Sequence, residues 1–234
     1  MTDAATISSP AVAGRLVLVV GATSASGLAA VRTLLAAGAR VVAVGRDRRK
    51  LEELREAVRR TPGPEAAIAV CDVTDEAAVA GLVDQVHAGD GAVDGILHLV
   101  GGWRGGGGLA GQTDDDYRVL EGSFTGLRHV SRAFDADLRA SAGGRLAIVS
   151  STAVARPLAG GANYAAVKAA GEAWARAVAQ GFGKAARDAG EPLTAASAIF
   201  RVKSLAGLEQ ALADAFVALW DSPASDVNDR IIDL

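Results

Sequence analysis

The sequence predicts a single α/β domain, a doubly wound parallel sheet of six to seven strands with helices on both faces. Three observations carry that expectation. Short, continuously apolar runs recur along the whole 234 residues, and nearly every one is followed by a segment of helical periodicity. Runs without polar alternation are the mark of strands buried on both faces, and strands that alternate with helices build a parallel sheet. The residues at the carboxyl ends of these runs, among them Gly21, Asp72, Gly101 and Ser151, are small or polar rather than core-forming. In a doubly wound sheet such ends share one edge, where ligands bind.

Arg15–Val20 is the first apolar run. The small-residue turn Gly21–Gly27 leads into a helix expected over Leu28–Ala37 and closed by Gly38. Arg40–Val44 repeats the strand pattern, and the charged helix Asp47–Arg60 that follows is broken by Thr61-Pro62-Gly63-Pro64. A third strand, Ala66–Val70, precedes a helix from Asp75 to Ala88, and Gly95–Val100 is the fourth strand. Gly101–Gly108 then contains six glycines in eight residues, which leaves two readings open, a floppy surface loop or one wall of a site. A long helix over Thr113–Ala140 leads to the fifth strand, Arg145–Ser150. A second long helix, Asn163–Ala189, leads to the sixth, Thr194–Phe200. Gly207–Trp220 has apolar residues at 208, 212, 215, 216 and 219, a helical stripe, and Arg230–Ile232 is the last short strand.

Composition narrows the function. A net charge of −3 with no concentrated basic segment argues against nucleic acid as a partner. No apolar run approaches the ~20 residues that span a bilayer, so no membrane partner is expected. The single cysteine, Cys71, excludes an intramolecular disulfide and fits a reducing cytoplasm. His87, His98 and His129 are scattered without metal-ligand spacing, so no metal site is expected. Met1 to Gly14 lacks the charged and apolar regions of a secretory leader, and residues 1–13 are expected to be flexible.

Tyr164 and Lys168 stand four residues apart in the second long helix, and Ser151 lies thirteen residues upstream at a strand end. Helical positions i and i+4 share a face, so phenol and ammonium can address one site. A phenol titrates near ~10 in water, and a neighbouring lysine cation favours its ionised form. A serine hydroxyl can donate to a substrate oxygen. Such a trio can move a proton to or from oxygen while hydride reaches the attached carbon. The turn Gly21-Ala22-Thr23-Ser24-Ala25-Ser26-Gly27 complements it. Small residues let a pyrophosphate approach the backbone, and the following helix offers unpaired N–H groups and a favourable dipole.

Taken together, these motifs resemble the short-chain dehydrogenase/reductase family over nearly the whole chain. The family's glycine turn maps onto Val20 through Gly27, with Ala25 in place of the middle glycine. Cys71-Asp72-Val73 resembles the Asp-Val pair that contacts adenine. Of the strand-four motif, only Gly101 of His98-Leu99-Val100-Gly101 is kept. The resemblance implies a Rossmann-type fold and an NAD(P)-dependent oxidoreductase that interconverts a carbonyl and an alcohol. Tyr164 would be its acid and base, Ser151 would hold the substrate oxygen, and Lys168 would bind the nicotinamide ribose. It implies further that Ser123 stands at the position of a fourth catalytic residue, normally an asparagine that supports a proton-carrying water. Two other features depart from the family. The Pro-Gly and threonine after strand six, where a substrate lid begins, are missing, and the glycine-rich segment expected after Ile231 is not seen.

The second strand ends at Gly45, where NAD enzymes of this fold carry a carboxylate, and Arg46 follows. A guanidinium there can grip a 2′-phosphate, with Ser24 adding a hydroxyl, so NADP is the expected cofactor. The rival reading makes Asp47 an NAD carboxylate rather than a helix cap. The family also implies a homo-oligomer, dimer or tetramer, paired through the two long helices, with Ala165, Ala169, Ala173 and Ala177 allowing close approach. From another functional class, a dinucleotide-binding sensor or scaffold with little turnover would also fit the missing lid and Ser123.

Overall fold

The computed structural model describes residues 11–234. Seven strands form one sheet: β1 Leu16–Val20, β2 Arg40–Gly45, β3 Ala67–Val70, β4 Gly95–His98, β5 Arg145–Ser151, β6 Ala196–Val202 and β7 Arg230–Asp233. Every pairing is parallel, in the order β3-β2-β1-β4-β5-β6-β7. The order reverses between β1 and β4, which opens a crevice at their carboxyl ends. The helices are α1 Ala25–Ala36, α2 Arg48–Val58, α3 Glu76–Gly89, α4 Asp114–Ala133, α5 Asp135–Ala140, α6 Ala162–Ala189, α7 Glu209–Ala218 and the short α8 Ala224–Val227.

Strand periodicity divides the core between the two faces. Val17, Val19, Ala43, Leu97 and Phe200 pack with α1, α2 and α7 through Leu34, Leu51, Phe216 and Trp220. Their chain neighbours Leu16, Leu18, Val42 and Ile96 point the other way, onto Val79, Val130, Phe134 and Phe182. Each of these fully buried large side chains contributes roughly 1.5–3 kcal/mol relative to exposure. At the base of the sheet the Arg145 guanidinium donates to the carbonyls of Leu219, Gly144, Thr194 and Ser222, locking β5 to the end of α7.

Several boundaries differ from expectation. Helix α1 begins at Ala25, three residues before the expected Leu28, because the Ser24 hydroxyl accepts from the Gly27 amide and caps it. The single helix expected over Thr113–Ala140 breaks at Phe134, whose ring is fully buried, and restarts as α5. There Asp137 accepts from the Val93 amide at 2.9 Å and pins the new segment to the sheet. Strand β6 runs to Val202, past the apolar run that ended at Phe200, because Arg201 continues the ladder opposite Ser150 and Asp233. The expectation of a flexible start covers residues 1–13, of which 1–10 lie outside the described residues. Val12 is already fully buried against the α1 face.

Candidate active site

The glycine turn is shaped by close contacts. Gly21 has φ +86°, and a side chain there would meet the backbone of Leu99 and Val100 at 3.0–3.3 Å. A Cβ on Gly27 would lie 2.2 Å from the Ala22 carbonyl oxygen, so only glycine lets α1 start this close to β1. Ser24 donates its hydroxyl to the Gly21 carbonyl while capping Gly27. Among the described residues, the amides of Ala25 and Ser26 have no partner. This arrangement fits a pyrophosphate: a cradle without side chains, free N–H donors and the positive end of a twelve-residue helix. Thr23 is exposed beside the turn, and Ser26 is nearly buried in the wall of the cleft.

A cavity of about 470 Å³ extends from this turn toward β3 and is lined by Thr23, Ser24, Gly45, Arg46, Asp72, Val73, Gly101 and Ser123, among others. Arg46 is exposed, and its guanidinium lies 4.0 Å from the Asp72 carboxylate. Asp72 also accepts from the amide and hydroxyl of Thr74, and these bonds, together with Arg46, hold its carboxyl below the usual range. Asp47 is the N-cap of α2 and accepts from the Lys50 amide at 3.2 Å. Its carboxylate is therefore engaged by the helix. Val73 is buried and packs on Gly126 of α4. Cys71 is buried beside it, and its thiol is pushed up to about 11 by burial, which makes it inert at neutral pH.

The larger cleft, about 950 Å³, lies at the carboxyl ends of β4, β5 and β6 and is lined by Ser151, Tyr164 and Lys168 together. The Lys168 ammonium sits 5.8 Å from the Tyr164 ring centre and donates to the Val149 carbonyl at 2.7 Å. A Cβ on Gly101 would come within 3.5 Å of it. Burial pushes the Lys168 pKa down to about 8. The Ser151 hydroxyl oxygen accepts from the Ala153 amide at 3.2 Å, which leaves its proton for a ligand. Three of the four expected catalytic side chains thus meet in one cleft.

Ser123 is placed differently. It lines the smaller cavity, and its hydroxyl donates to the Leu120 carbonyl of its own helix. Its backbone carbonyl accepts from His98 Nε2 at 3.1 Å. Since a carbonyl can only accept, this bond fixes the proton on Nε2, and burial pushes the His98 pKa down to about 4, so the ring is neutral. Its Nδ1 has no partner among the described residues. A pocket of about 20 Å³ bounded by His98, Ser123, Val149 and Lys168 admits a single water.

Sequence reasoning missed three side chains at this edge. Gln112 donates to the carbonyls of Gly106, Gly108 and Gly160 and accepts from the Asn163 amide, so the glycine loop is stitched to the start of α6. Gly106 also donates directly to Gly160 at 2.7 Å. The loop is a wall of the cleft rather than a free strand of chain. Glu172, two turns beyond Tyr164, is buried, accepts from Ser150 at 2.6 Å and pairs with Arg201 at 2.8 Å, tying α6 to β5 and β6. Arg156 lines the cleft between Ser151 and Tyr164. Only their neighbourhood to motif residues marks them, because Gln112 and Glu172 act across long sequence separations.

Comparison with known proteins identifies the family and the fold. Residues 15–186 match the family model described as short chain dehydrogenase. The chain is 37% identical over 90 residues to a fatty acyl-CoA reductase of Acinetobacter baylyi, which covers 38% of this chain and 30% of that protein. It is 32% identical over 123 residues to dehydrogenase/reductase SDR family member 7B of Bos taurus, covering 50% and 38%. The matched segments thus span about a third of those curated relatives. Among solved structures, an NADPH-bound short chain oxidoreductase with an atypical catalytic centre from Pseudomonas aeruginosa superposes with TM-score 0.80 at 24% identity, covering 94% and 95% of the two chains. The L-sorbose reductase of Gluconobacter frateurii, complexed with NADPH and L-sorbose, superposes with TM-score 0.83 at 17% identity, covering 97% of each. At these identities the structural likeness is one of fold. The chain belongs to the short-chain dehydrogenase/reductase family, whose chemistry is NAD(P)-dependent oxidation and reduction.

Proposed function

We propose that this family member interconverts a carbonyl and an alcohol, with Tyr164 as general acid and base and NADP(H) as cofactor. The observation that carries the reading is the convergence of Ser151, Tyr164 and Lys168 on one cleft at the sheet's crevice. A bound nicotinamide dinucleotide supplies or accepts the hydride. The chain's own residues do the rest. Gly21 and Gly27 admit the pyrophosphate, the amides of Ala25 and Ser26 donate to it, and Asp72 and Val73 flank the adenine end. Ser151 donates to the substrate oxygen and fixes it beside the Tyr164 hydroxyl. Tyr164 gives that oxygen a proton in reduction and removes it in oxidation. Lys168 holds the ribose and favours the phenolate when protonated. Ser123 keeps its place in this reading only through its backbone carbonyl, with His98 bound to it.

The preference for NADP rests on Arg46, exposed in the cavity that adjoins the turn, and on Asp47 being committed to capping α2. Neighbouring structures with NADPH and with NADP support it. The test compares NADPH and NADH dissociation constants in the wild type and in Arg46→Ala, alongside a carbonyl and alcohol screen followed at the nicotinamide absorbance. An arginine on phosphate contributes on the order of 1.5–3 kcal/mol, about ten- to a hundred-fold in NADPH affinity, with NADH little changed. A wild type that prefers NADH overturns the assignment.

One observation favours a second reading, a dinucleotide-binding sensor or scaffold. Only residues 203–208 connect β6 to α7, so among the described residues no lid extends from there over the cleft. Cofactor binding without turnover in the screen would support it. We propose further that the protein is a cytoplasmic homo-oligomer; its one buried unpaired thiol supports a reducing compartment. No described helix is long and apolar enough to cross a membrane. On α6, Ala165 is buried but Ala169, Ala173 and Ala177 are exposed and leave room for a partner helix. Light scattering at micromolar concentration should give a dimer or tetramer mass, and a monomer mass would reject it.

A further inference from the structure

The rim of the large cleft has a chemistry that the proton transfer does not use. Its charged lining residues are Arg156, Lys168 and Lys203, with no carboxylate among them. Among the described residues, neither Arg156 nor Lys203 pairs with an acid, whereas Arg104 on the same loop as Trp103 lies 3.9 Å from Asp116. A cleft walled by one sign of charge concentrates ligands of the other sign. Trp103 and Leu158 also line it and are 61% and 78% exposed, and Leu109 on the same loop is 70% exposed. They lie on two segments, 101–112 and 155–161, that are bonded to each other through Gly106, Gly160 and Gln112. Exposed apolar side chains gathered at the mouth of a cleft mark a binding surface rather than ordinary scatter.

Resting on the carbonyl–alcohol reading above, we propose that the substrate carries a carboxylate on an apolar chain. Arg156 holds the anion, and Trp103 and Leu158 cover the chain. The two cations divide the work by position. Lys203 follows Val202, which is in register with Ser151, and lines the same cleft from the end of β6. Arg156 lies in the segment between Ser151 and Tyr164, two residues before Leu158, and that segment is bonded to the Trp103 loop, so one wall carries both the cation and the apolar cover. A guanidinium takes a carboxylate in paired, charge-assisted bonds. With only residues 203–208 between β6 and α7, the chain has an open path past the rim.

The test is calorimetry on the NADPH-saturated protein with octanoate, its neutral twin octanamide and its short twin butyrate, none of which can be reduced by the cofactor under the assay conditions. Octanoate should bind at least about ten-fold tighter than either twin. Arg156→Gln should remove the advantage over octanamide, and Leu158→Ser the advantage over butyrate, with NADPH affinity unchanged in both. Equal binding of octanoate and octanamide, or an Arg156→Gln protein that still prefers the acid, overturns the inference. So does a rim covered by a second copy, which would appear as a changed mass in light scattering for both variants with octanoate affinity intact. Turnover separates this inference from the reading beneath it. If a neutral methyl ketone is reduced faster than an oxo-octanoate of equal length, the inference falls and the carbonyl reading stands. If octanoate binds as described but no carbonyl is reduced, the carbonyl reading falls and the anion site stands.

Discussion

The two halves of the ligand-binding edge are held by different means. On the phosphate side, each turn is fixed by its own neighbours: Ser24 caps α1, Asp47 caps α2, Asp72 binds Thr74 and Asp75 caps α3. Every one of these bonds spans two or three residues. On the substrate side the order comes from afar: Gln112 reaches Gly160 across 48 residues, and Glu172 joins Ser150 and Arg201 across 22 and 29. The local half rests on short-range bonds alone and is where we propose that the dinucleotide binds. The long-range half depends on a few bridges, and its cover is reduced to residues 203–208.

That contrast predicts unequal and separable effects. Gly27→Ala should be the larger, since its Cβ would sit 2.2 Å from the Ala22 carbonyl and α1 would have to move. We expect about 1–3 kcal/mol of lost stability by thermal unfolding and at least about ten-fold weaker NADPH binding. Gln112→Ala should leave NADPH binding unchanged and raise substrate KM by about three- to ten-fold, with Trp103 fluorescence anisotropy falling as the loop loosens. Cofactor affinity lost in Gln112→Ala would mean that the two halves are coupled, and the contrast would fail.

The pH dependence is smaller and has a definite sign. Lys168 titrates at about 8 because burial disfavours its cation. The cation is present below that pH and lost above it, so affinity that needs the ammonium falls as pH rises through about 8. The NADPH dissociation constant should weaken by up to about ten-fold between roughly pH 7 and 9, and Lys168→Met should flatten the curve. An unchanged slope in the variant would remove Lys168 from the cofactor site.

Legibility in the sequence followed the same division. All seven strands and the six long helical segments could be read from apolar runs and periodicity, and so could Ser151, Tyr164 and Lys168 from spacing along one strand end and one helix. The start of α1 was misplaced because Ala25 and Ser26 look like turn residues until Ser24 is seen as a cap. The break at Phe134 was invisible because the helical pattern continues through it, while the cause, Asp137 on Val93, lies 44 residues away. Arg201 fell outside the strand expected over Thr194–Phe200 because its charge ends the apolar run, while its partner, Glu172, sits on another element. His98 read only as a departure from the strand-four motif, and only the folded chain shows its ring bonded to the Ser123 carbonyl. Contacts between distant residues leave no periodic trace.

The central claim is that Tyr164 moves the proton while other residues hold the cofactor. Its most direct test is Tyr164→Phe, assayed for NADPH binding and, with any carbonyl that the wild type reduces, for turnover. Loss of the acid should cut kcat by about a hundred- to ten-thousand-fold while the NADPH dissociation constant stays within about two-fold. A variant that keeps most of its turnover, or one whose turnover falls only as far as its cofactor affinity, would contradict the account.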